Sequence, residues 1–243
     1  MKRIYIFLIV CTAALLVACS GNIEDLTVGS GKVITEQRKV SNFTSLELGC
    51  SADVILAQGG SLAVSIEGED NILPKIETNV SGGKLSIEAR SNSNFRATQK
   101  LIVHITVPAL SAIRASGSGD VDINGLNAGG LNLDVSGSGN INIHYLKADK
   151  VTAVISGSGD ITLDGKVDSQ TVTISGSGSY ESGLLESRLA VATISGSGDV
   201  IAWVTYSLLA SISGSGDVKY YGTAGLTQKT SGSGSVENLG DRP

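Results

Sequence analysis

The stretch Ser195-Gly196-Ser197-Gly198-Asp199-Val200 contains the tetrapeptide Ser-Gly-Ser-Gly, which occurs seven times in the second half of the chain. The copies are 18 to 20 residues apart and begin at Ser116, Ser136, Ser156, Ser175, Ser195, Ser213 and Ser231. A short, nearly fixed period is typical of a solenoid, in which each repeat forms one coil and buries its apolar side against its neighbours. The repeat predicts an all-β fold, a single-stranded β-solenoid (β-helix) with about 18–20 residues per coil.

Apolar residues recur at fixed positions around each motif. The residue directly before the motif and the one two places earlier face inward, as Ile155 and Ala153 illustrate, and so do Ile161 and Leu163 after it. The polar Thr162 between them faces out. This period of two predicts two inward-facing strands joined by a corner at the motif. Glycine suits that corner because it accepts a positive φ and allows backbones to approach closely.

The first half of the chain also predicts strands. Even-numbered residues from Leu46 to Leu56 are apolar or small, which indicates one continuous strand with a buried face. Residues 85–89 and 101–107 follow the same pattern, and residues 70–75 indicate at most a short helical turn. At the other end, the polar residues Gln228 and Thr230 replace apolar ones, as expected for a terminal cap.

The N-terminus predicts export and lipid anchoring. Lys2 and Arg3 precede an apolar run that ends in Leu16-Val17-Ala18-Cys19, the pattern of a bacterial lipobox. We expect residues 1–18 to be a lipoprotein signal peptide, residues 19–38 a lipid-anchored tether, and residues 39–243 the β-solenoid domain, with its repeats over 113–236. An ordinary secretory signal or an uncleaved anchor is the alternative. Ser20 after the lipidated Cys19 favours the outer membrane. The protein could face either the periplasm or the cell surface.

Composition argues against a nucleic-acid-binding protein and against a disulfide-bonded fold. Loss of Lys2 and Arg3 leaves 16 basic residues against 23 acidic ones, a net charge of −7, with no basic cluster for nucleic acid. With Cys11 removed and Cys19 lipidated, only Cys50 remains, so an intramolecular disulfide is impossible.

The repeats and two earlier segments carry a resemblance to a known family. Ser-Gly-Ser-Gly-Asp-Val at this spacing, with residues 43–46, 49–54 and 103–108, is similar to the bacterial family known as auto-transporter adhesin, head GIN domain. The similarity spans roughly residues 36–240. It implies a β-solenoid with two facing sheets and a pectin-lyase-like shape, no recognised catalytic set, and a role in adhesion at the cell envelope.

The residues that could be reactive are better explained by structural roles than by catalysis or metal binding. His104 and His144 alternate onto the polar face, and Cys50 falls on the buried face without a partner base. The residues directly after the motifs form one predicted row, here called the acid ladder: Asp120, Asn140, Asp160, Ser179, Asp199, Asp217 and Ser235. Carboxylates stacked at strand spacing repel unless a cation such as Ca²⁺ bridges them. We expect no catalytic residue, cofactor or metal, although a Ca²⁺ site on the ladder remains an alternative.

An aromatic pair gives the one indication of a ligand surface. Trp203 alternates outward and Tyr206 follows in the same coil, so the two could stack on a sugar or anchor a protein. Packing of Trp203 under a nearby turn is the alternative. The sequence thus predicts a non-catalytic binding or structural module, bound to the membrane through lipid on Cys19, with a glycan or envelope protein as partner. A polysaccharide lyase or glycosidase is the second hypothesis, and it requires a groove holding two carboxylates and a base.

Overall fold

The computed structural model describes residues 26–242, so the predicted signal peptide and Cys19 lie outside the described residues. Strands account for 61% of the structure, which confirms the all-β prediction. Within residues 26–242 the one helical element is the 3-10 turn Leu73–Lys75, inside the predicted helical segment. No helix in this part of the chain is long and apolar enough to cross a membrane.

The strands of the first half are short and those of the repeats are long. The first ten are β1 (Thr27–Val28), β2 (Val33–Gln37), β3 (Ser45–Leu48), β4 (Asp53–Gln58), β5 (Ala63–Glu69), β6 (Ile76–Ser81), β7 (Lys84–Ala89), β8 (Phe95–Arg96), β9 (Ile102–Val107) and β10 (Ala112–Ala115). The others are β11 (Val121–Val135), β12 (Ile141–Ile155), β13 (Ile161–Ile174), β14 (Tyr180–Ile194), β15 (Val200–Ile212), β16 (Val218–Tyr221), β17 (Gly225–Thr230) and β18 (Val236–Asn238).

The repeats form the predicted β-solenoid, with about six turns. Strands β11 to β15 pair in parallel with their neighbours, so that Val121, Ile141 and Ile161 stack in one ladder. The predicted inward positions before and after each motif are buried up to Val218, because each coil covers the apolar row of the next. In the last coil, Gln228 and Thr230 are exposed, as the cap prediction requires.

Each full coil also has a middle segment that the period of two did not predict. Leu126 and Leu146 are buried between the two predicted arms. They follow residues with left-handed backbone, Gly125 at φ 88° and Tyr145 at φ 52°. A left-handed residue turns the chain and shifts which side chains face inward, so the alternation before it does not continue through it.

The N-terminal half contains one more coil and a set of outer layers. β3 and β4 form a coil whose corner is 49–52, so the predicted continuous strand from Leu46 to Leu56 is wrong at that point. The Ser118 N–H donates to the carbonyl oxygen of Cys50 at 3.2 Å, which stacks this corner under the first repeat motif. Further out, β7 and β9 pair in parallel with this coil, whereas β5 and β6 run antiparallel to them.

Part of the predicted tether is folded. β2 pairs antiparallel with β5, and β1 pairs with β8, so residues 27–28 and 33–37 are not free chain. Backbone hydrogen bonds along an open sheet edge create this structure, and its side chains are mostly exposed and polar. The tether prediction was therefore wrong for those residues, because an edge strand in which only Ile34 packs partly against the core leaves little periodic signal in the sequence.

Candidate functional site

The Ser-Gly-Ser-Gly corners stack backbone on backbone. The Ser158 N–H donates to the Gly137 carbonyl oxygen at 3.0 Å, and the same bond recurs between the other corners. A Cβ on Gly157 would overlap that same Gly137 oxygen. The motif glycines do not have a positive φ, so that part of the prediction was wrong. Glycine is required because adjacent coils leave no room for a side chain.

The acid ladder is a series of backbone caps. One side-chain oxygen of Asp160 accepts the N–H of Ser179 at 2.7 Å, and Asn140 accepts that of Asp160 at 2.8 Å in the same way. Asp199 and Asp217, the adjacent acids, repeat the contact at 2.7 Å. The predicted repulsion is therefore offset, because each acid satisfies a backbone donor of the next coil.

The ladder also alters nearby acidities. The backbone N–H and then the hydroxyl of Ser235 hold the pKa of Asp217 below its usual range. Burial, followed by the charges of Asp160 and Asp199, raises the pKa of Glu181. Among residues 26–242, no group of three or more His, Cys, Asp or Glu side chains could hold a metal ion.

The two histidines and Cys50 lie where the alternation predicted. His104 and His144 are exposed, and the Nδ1 of His144 lies 2.7 Å from an Asp164 carboxylate oxygen. Cys50 is buried, and burial raises the pKa of its thiol, which disfavours the reactive thiolate.

A groove of about 800 Å³ crosses the middle segments of five coils, from β11 to β15. Its apolar lining comes from small side chains, among them Ala128, Ala148 and Val167. Its charged lining comes from both signs: Lys147, Lys166, Arg188, Asp149, Asp168 and Glu186. The groove thus has a narrow apolar strip with charged groups beside it, a form suited to an extended ligand.

Two of the groove acids are paired with cations. Lys166 donates to Glu186 at 2.9 Å, and the Nε of Arg188 donates to Asp168 at 2.9 Å. A glycosidase needs one carboxyl group kept protonated near neutral pH and a second at a defined distance. A carboxylate that already neutralises a guanidinium or ammonium group is poorly suited to donate a proton. The groove therefore brings carboxylates and bases together, but the ion pairs of Asp168 and Glu186 favour binding over catalysis by these two acids.

The predicted aromatic pair is divided between two environments. Tyr206 is 66% exposed, and the Arg188 guanidinium lies 5.5 Å from its ring centroid, so Tyr206 lies next to the groove, after its last lining residue Thr205. Trp203 is half-buried and pairs with Glu186 and Tyr221 of the neighbouring coils. Neither aromatic residue lines the groove, but the exposed Tyr206 ring contacts the groove residue Arg188.

A buried polar network in the repeat core was missed by the sequence analysis. Gln170 occupies the ladder position held by Val151 and Ala190 in the adjacent coils. Its side-chain oxygen accepts the Tyr180 hydroxyl at 3.0 Å, and its Nε2 donates to Ser187 at 2.8 Å. The signal was present, because Tyr180 breaks a run of Val and Ile at its position.

Comparison with known proteins agrees with the fold. The family model described as "Putative auto-transporter adhesin, head GIN domain" matches residues 42–224, well over half of the chain. No curated protein matches the sequence.

Solved structures share the fold over most of the chain. The chain is similar to a protein from Bacteroides fragilis NCTC 9343 described as a "putative adhesin", with 30% identity and a TM-score of 0.84 over 87% of this chain and 99% of that one. A "putative lipid binding protein" from Parabacteroides distasonis ATCC 8503 is 24% identical, with a TM-score of 0.73 over 88% and 99%. A "putative adhesin" from Parabacteroides merdae ATCC 43184 is 23% identical, with a TM-score of 0.71 over 89% and 100%. The last two show a shared fold alone.

Proposed function

Because the chain belongs to the auto-transporter adhesin, head GIN domain family, we propose that it is a non-catalytic binding module of the bacterial cell envelope. Its ligand lies along the groove over the middle segments and contacts Tyr206 and Arg188 at one end. The ligand is an extended chain, either a glycan or a segment of an envelope protein. Lipid on Cys19 holds the module at the membrane, as the lipobox predicts.

The observation that carries this proposal is the Arg188–Tyr206 stack at the end of the groove. Arg188 lines the groove, pairs with Asp168, and covers the Tyr206 ring. Exposed Tyr and Arg side chains are over-represented among residues that dominate binding energy. A position fixed by the ion pair also lowers the entropic cost of binding.

The binding test uses the full chain against an immobilised panel of glycans and envelope proteins. Tyr206→Ala and Arg188→Ala should each weaken capture roughly tenfold, as expected for central contacts. Leu209→Ala is the control, because Leu209 is 45% exposed and lies outside the groove. Equal binding by all three variants would contradict the groove assignment. Cleavage of a captured glycan that Asp168→Asn abolishes would replace the binding proposal by the enzyme hypothesis.

The anchor is tested separately. Cys19→Ala should abolish incorporation of labelled fatty acid and leave either a soluble body or an unprocessed precursor. Undiminished labelling in that variant would mean that the lipid is attached elsewhere or that the lipobox is wrong.

A further inference from the structure

Tyr145 adopts a backbone conformation that its neighbours reserve for glycine. Its φ is 52°; Gly125, at the same position of the preceding coil, has φ 88°, and Gly165, which pairs with Leu146 at the corner of the following coil, has φ 124°. A left-handed conformation is costly for a bulky residue. Packing of the side chain offsets little of that cost, because Tyr145 is 75% exposed. Strained, exposed residues of this kind cluster at ligand sites.

The strained corner is fixed from the next coil. One oxygen of the Asp164 carboxylate accepts the Tyr145 N–H at 2.6 Å, and the other lies 2.7 Å from the Nδ1 of His144. A single carboxylate thus holds the backbone of Tyr145 and the ring of its neighbour. Tyr145 is therefore presented at a fixed corner and loses less freedom when a ligand binds.

A recess of about 620 Å³ opens beside this ring. Ile55, which is 47% exposed, and Ala57 supply an apolar wall. Asp122, Asn124 and His144 supply hydrogen-bonding groups. The Asn124 side-chain amide makes no hydrogen bond within residues 26–242, and Asp122 accepts one from Asn142 at 2.8 Å. No Lys or Arg lines the recess, which disfavours an anionic ligand.

We propose that this recess is a second binding site, which takes a neutral hexose unit of a glycan. A pyranose ring has an apolar C–H face and a rim of hydroxyl groups. The C–H face stacks on Tyr145, whose π face is electron-rich, while Asp122 and Asn124 bond the hydroxyls. The site is separate from the groove and does not depend on the proposed role of Tyr206.

The test measures saturation-transfer NMR between the full chain and a panel of methyl hexosides and methyl N-acetylhexosaminides. We expect transfer to the ring C–H protons of at least one of them. Tyr145→Asn should weaken that binding at least tenfold without lowering the melting temperature, because Asn tolerates the left-handed conformation. Tyr145→Phe keeps the ring and should bind like the parent.

Tyr206→Ala distinguishes this recess from the groove and should leave the transfer unchanged. The proposal is overturned if no glycoside in the panel shows transfer. It is equally overturned if Tyr145→Asn binds like the parent, or if Tyr206→Ala removes the signal. Retained folding of Tyr145→Asn, checked by its melting temperature, ensures that a lost signal reports the ring.

Discussion

The two halves of the molecule are stabilised by different groups. In the repeat half, the N–H groups of one corner bond the carbonyl oxygens of the corner below it, and Gly157 leaves no space for a side chain there. In the N-terminal half the chain reverses direction, and a side chain joins its segments. The buried Glu69 carboxylate accepts the N–H of Gly31 at 2.7 Å and the N–H and hydroxyl of Thr98 at 2.8 and 2.6 Å.

The difference shows that repetition of the coils decides whether side chains are needed to satisfy backbone hydrogen-bonding groups. Identical coils can satisfy each other's backbone at the corner, so the corner depends on the absence of side chains. The irregular loops around Gly31 and Thr98 leave backbone donors without such partners, and a carboxylate with several acceptor sites satisfies them together. Four changes test this contrast.

Gly157→Val should have the largest effect. The added side chain overlaps the Gly137 carbonyl oxygen and must force two coils apart, at a cost of about 3 kcal/mol in the free energy of unfolding. Urea unfolding measures it. Two controls lie in the same half: Thr162→Ser on an outward position, and Gly130→Ala, where nothing lies within 4 Å of the added Cβ. Both should change stability by less than about 0.5 kcal/mol. A Gly157→Val protein as stable as either control would remove the stacking explanation.

Gln170→Leu should have the second largest effect. Leucine suits an apolar ladder but leaves the buried Tyr180 hydroxyl without its acceptor, at a cost of about 2 kcal/mol. The double variant Gln170→Leu with Tyr180→Phe removes both partners and should recover most of that loss. Ser182 and Ser187 keep backbone carbonyl acceptors, Ile201 and Trp203, in either variant. A double variant less stable than Gln170→Leu alone would show that packing, not the unpaired hydroxyl, sets the cost.

Glu69→Gln should lower the melting temperature by a few degrees. In either orientation the amide would turn its own N–H toward a backbone donor, Gly31 on one side or Thr98 and Gln99 on the other, so the loop contacts cannot all remain. Glu67→Gln on the same strand is the matched control, since no hydrogen bond joins its side chain to residues 26–242. Equal melting temperatures for the two variants would show that the layers hold without this carboxylate.

The contribution of the Glu69 carboxylate to the stability of the fold should also depend on pH. The Thr98 hydroxyl, together with backbone N–H groups, holds the pKa of Glu69 below its usual range. Its stabilisation is then complete above the unfolded-state pKa of about 4.3 and is lost as the pH falls through the lower folded pKa. The stability gap between the parent and Glu69→Gln should therefore be constant near neutrality and narrow in acid. If the stability difference between the parent and Glu69→Gln widened in acid, the pKa of Glu69 would have to be raised in the folded protein, not lowered.

Asp217 changes should have the smallest effect. Asp217→Asn keeps an oxygen to accept the Ser235 N–H, as Asn140 does for Asp160, and should stay within about 0.5 kcal/mol of the parent. Asp217→Ala removes the acceptor and should cost at most about 1 kcal/mol. Added Ca²⁺ should leave the parent's melting temperature unchanged. If Ca²⁺ raises it and Asp217→Asn erases the gain, the ladder is a metal site.

Much of the repeat half could be predicted because its signals are local. The motif spacing gave the coils, and alternation identified Ile155 and Ile161 as buried. The groove could not be predicted, because its lining residues Lys147, Lys166 and Arg188 belong to three coils and come together only when the middle segments stack. The period of two ends at Gly125 and Tyr145, so nothing local assigned those segments a face. Tyr206 was identified as an exposed aromatic residue, but its contact with Arg188 depends on the stacking.

The sequence by itself determined the coil, its corner and its buried rows, because a repeated pattern places equivalent residues one above the other whatever the rest of the chain does. Only the tertiary structure decided why the corner needs glycine, which is close stacking rather than a positive φ. It also decided that 33–37 forms a strand, that Glu69 joins the outer layers, and that Tyr145 stands strained beside a recess. These features depend on contacts between segments far apart in the chain, and such contacts exist only after the coils and layers have packed.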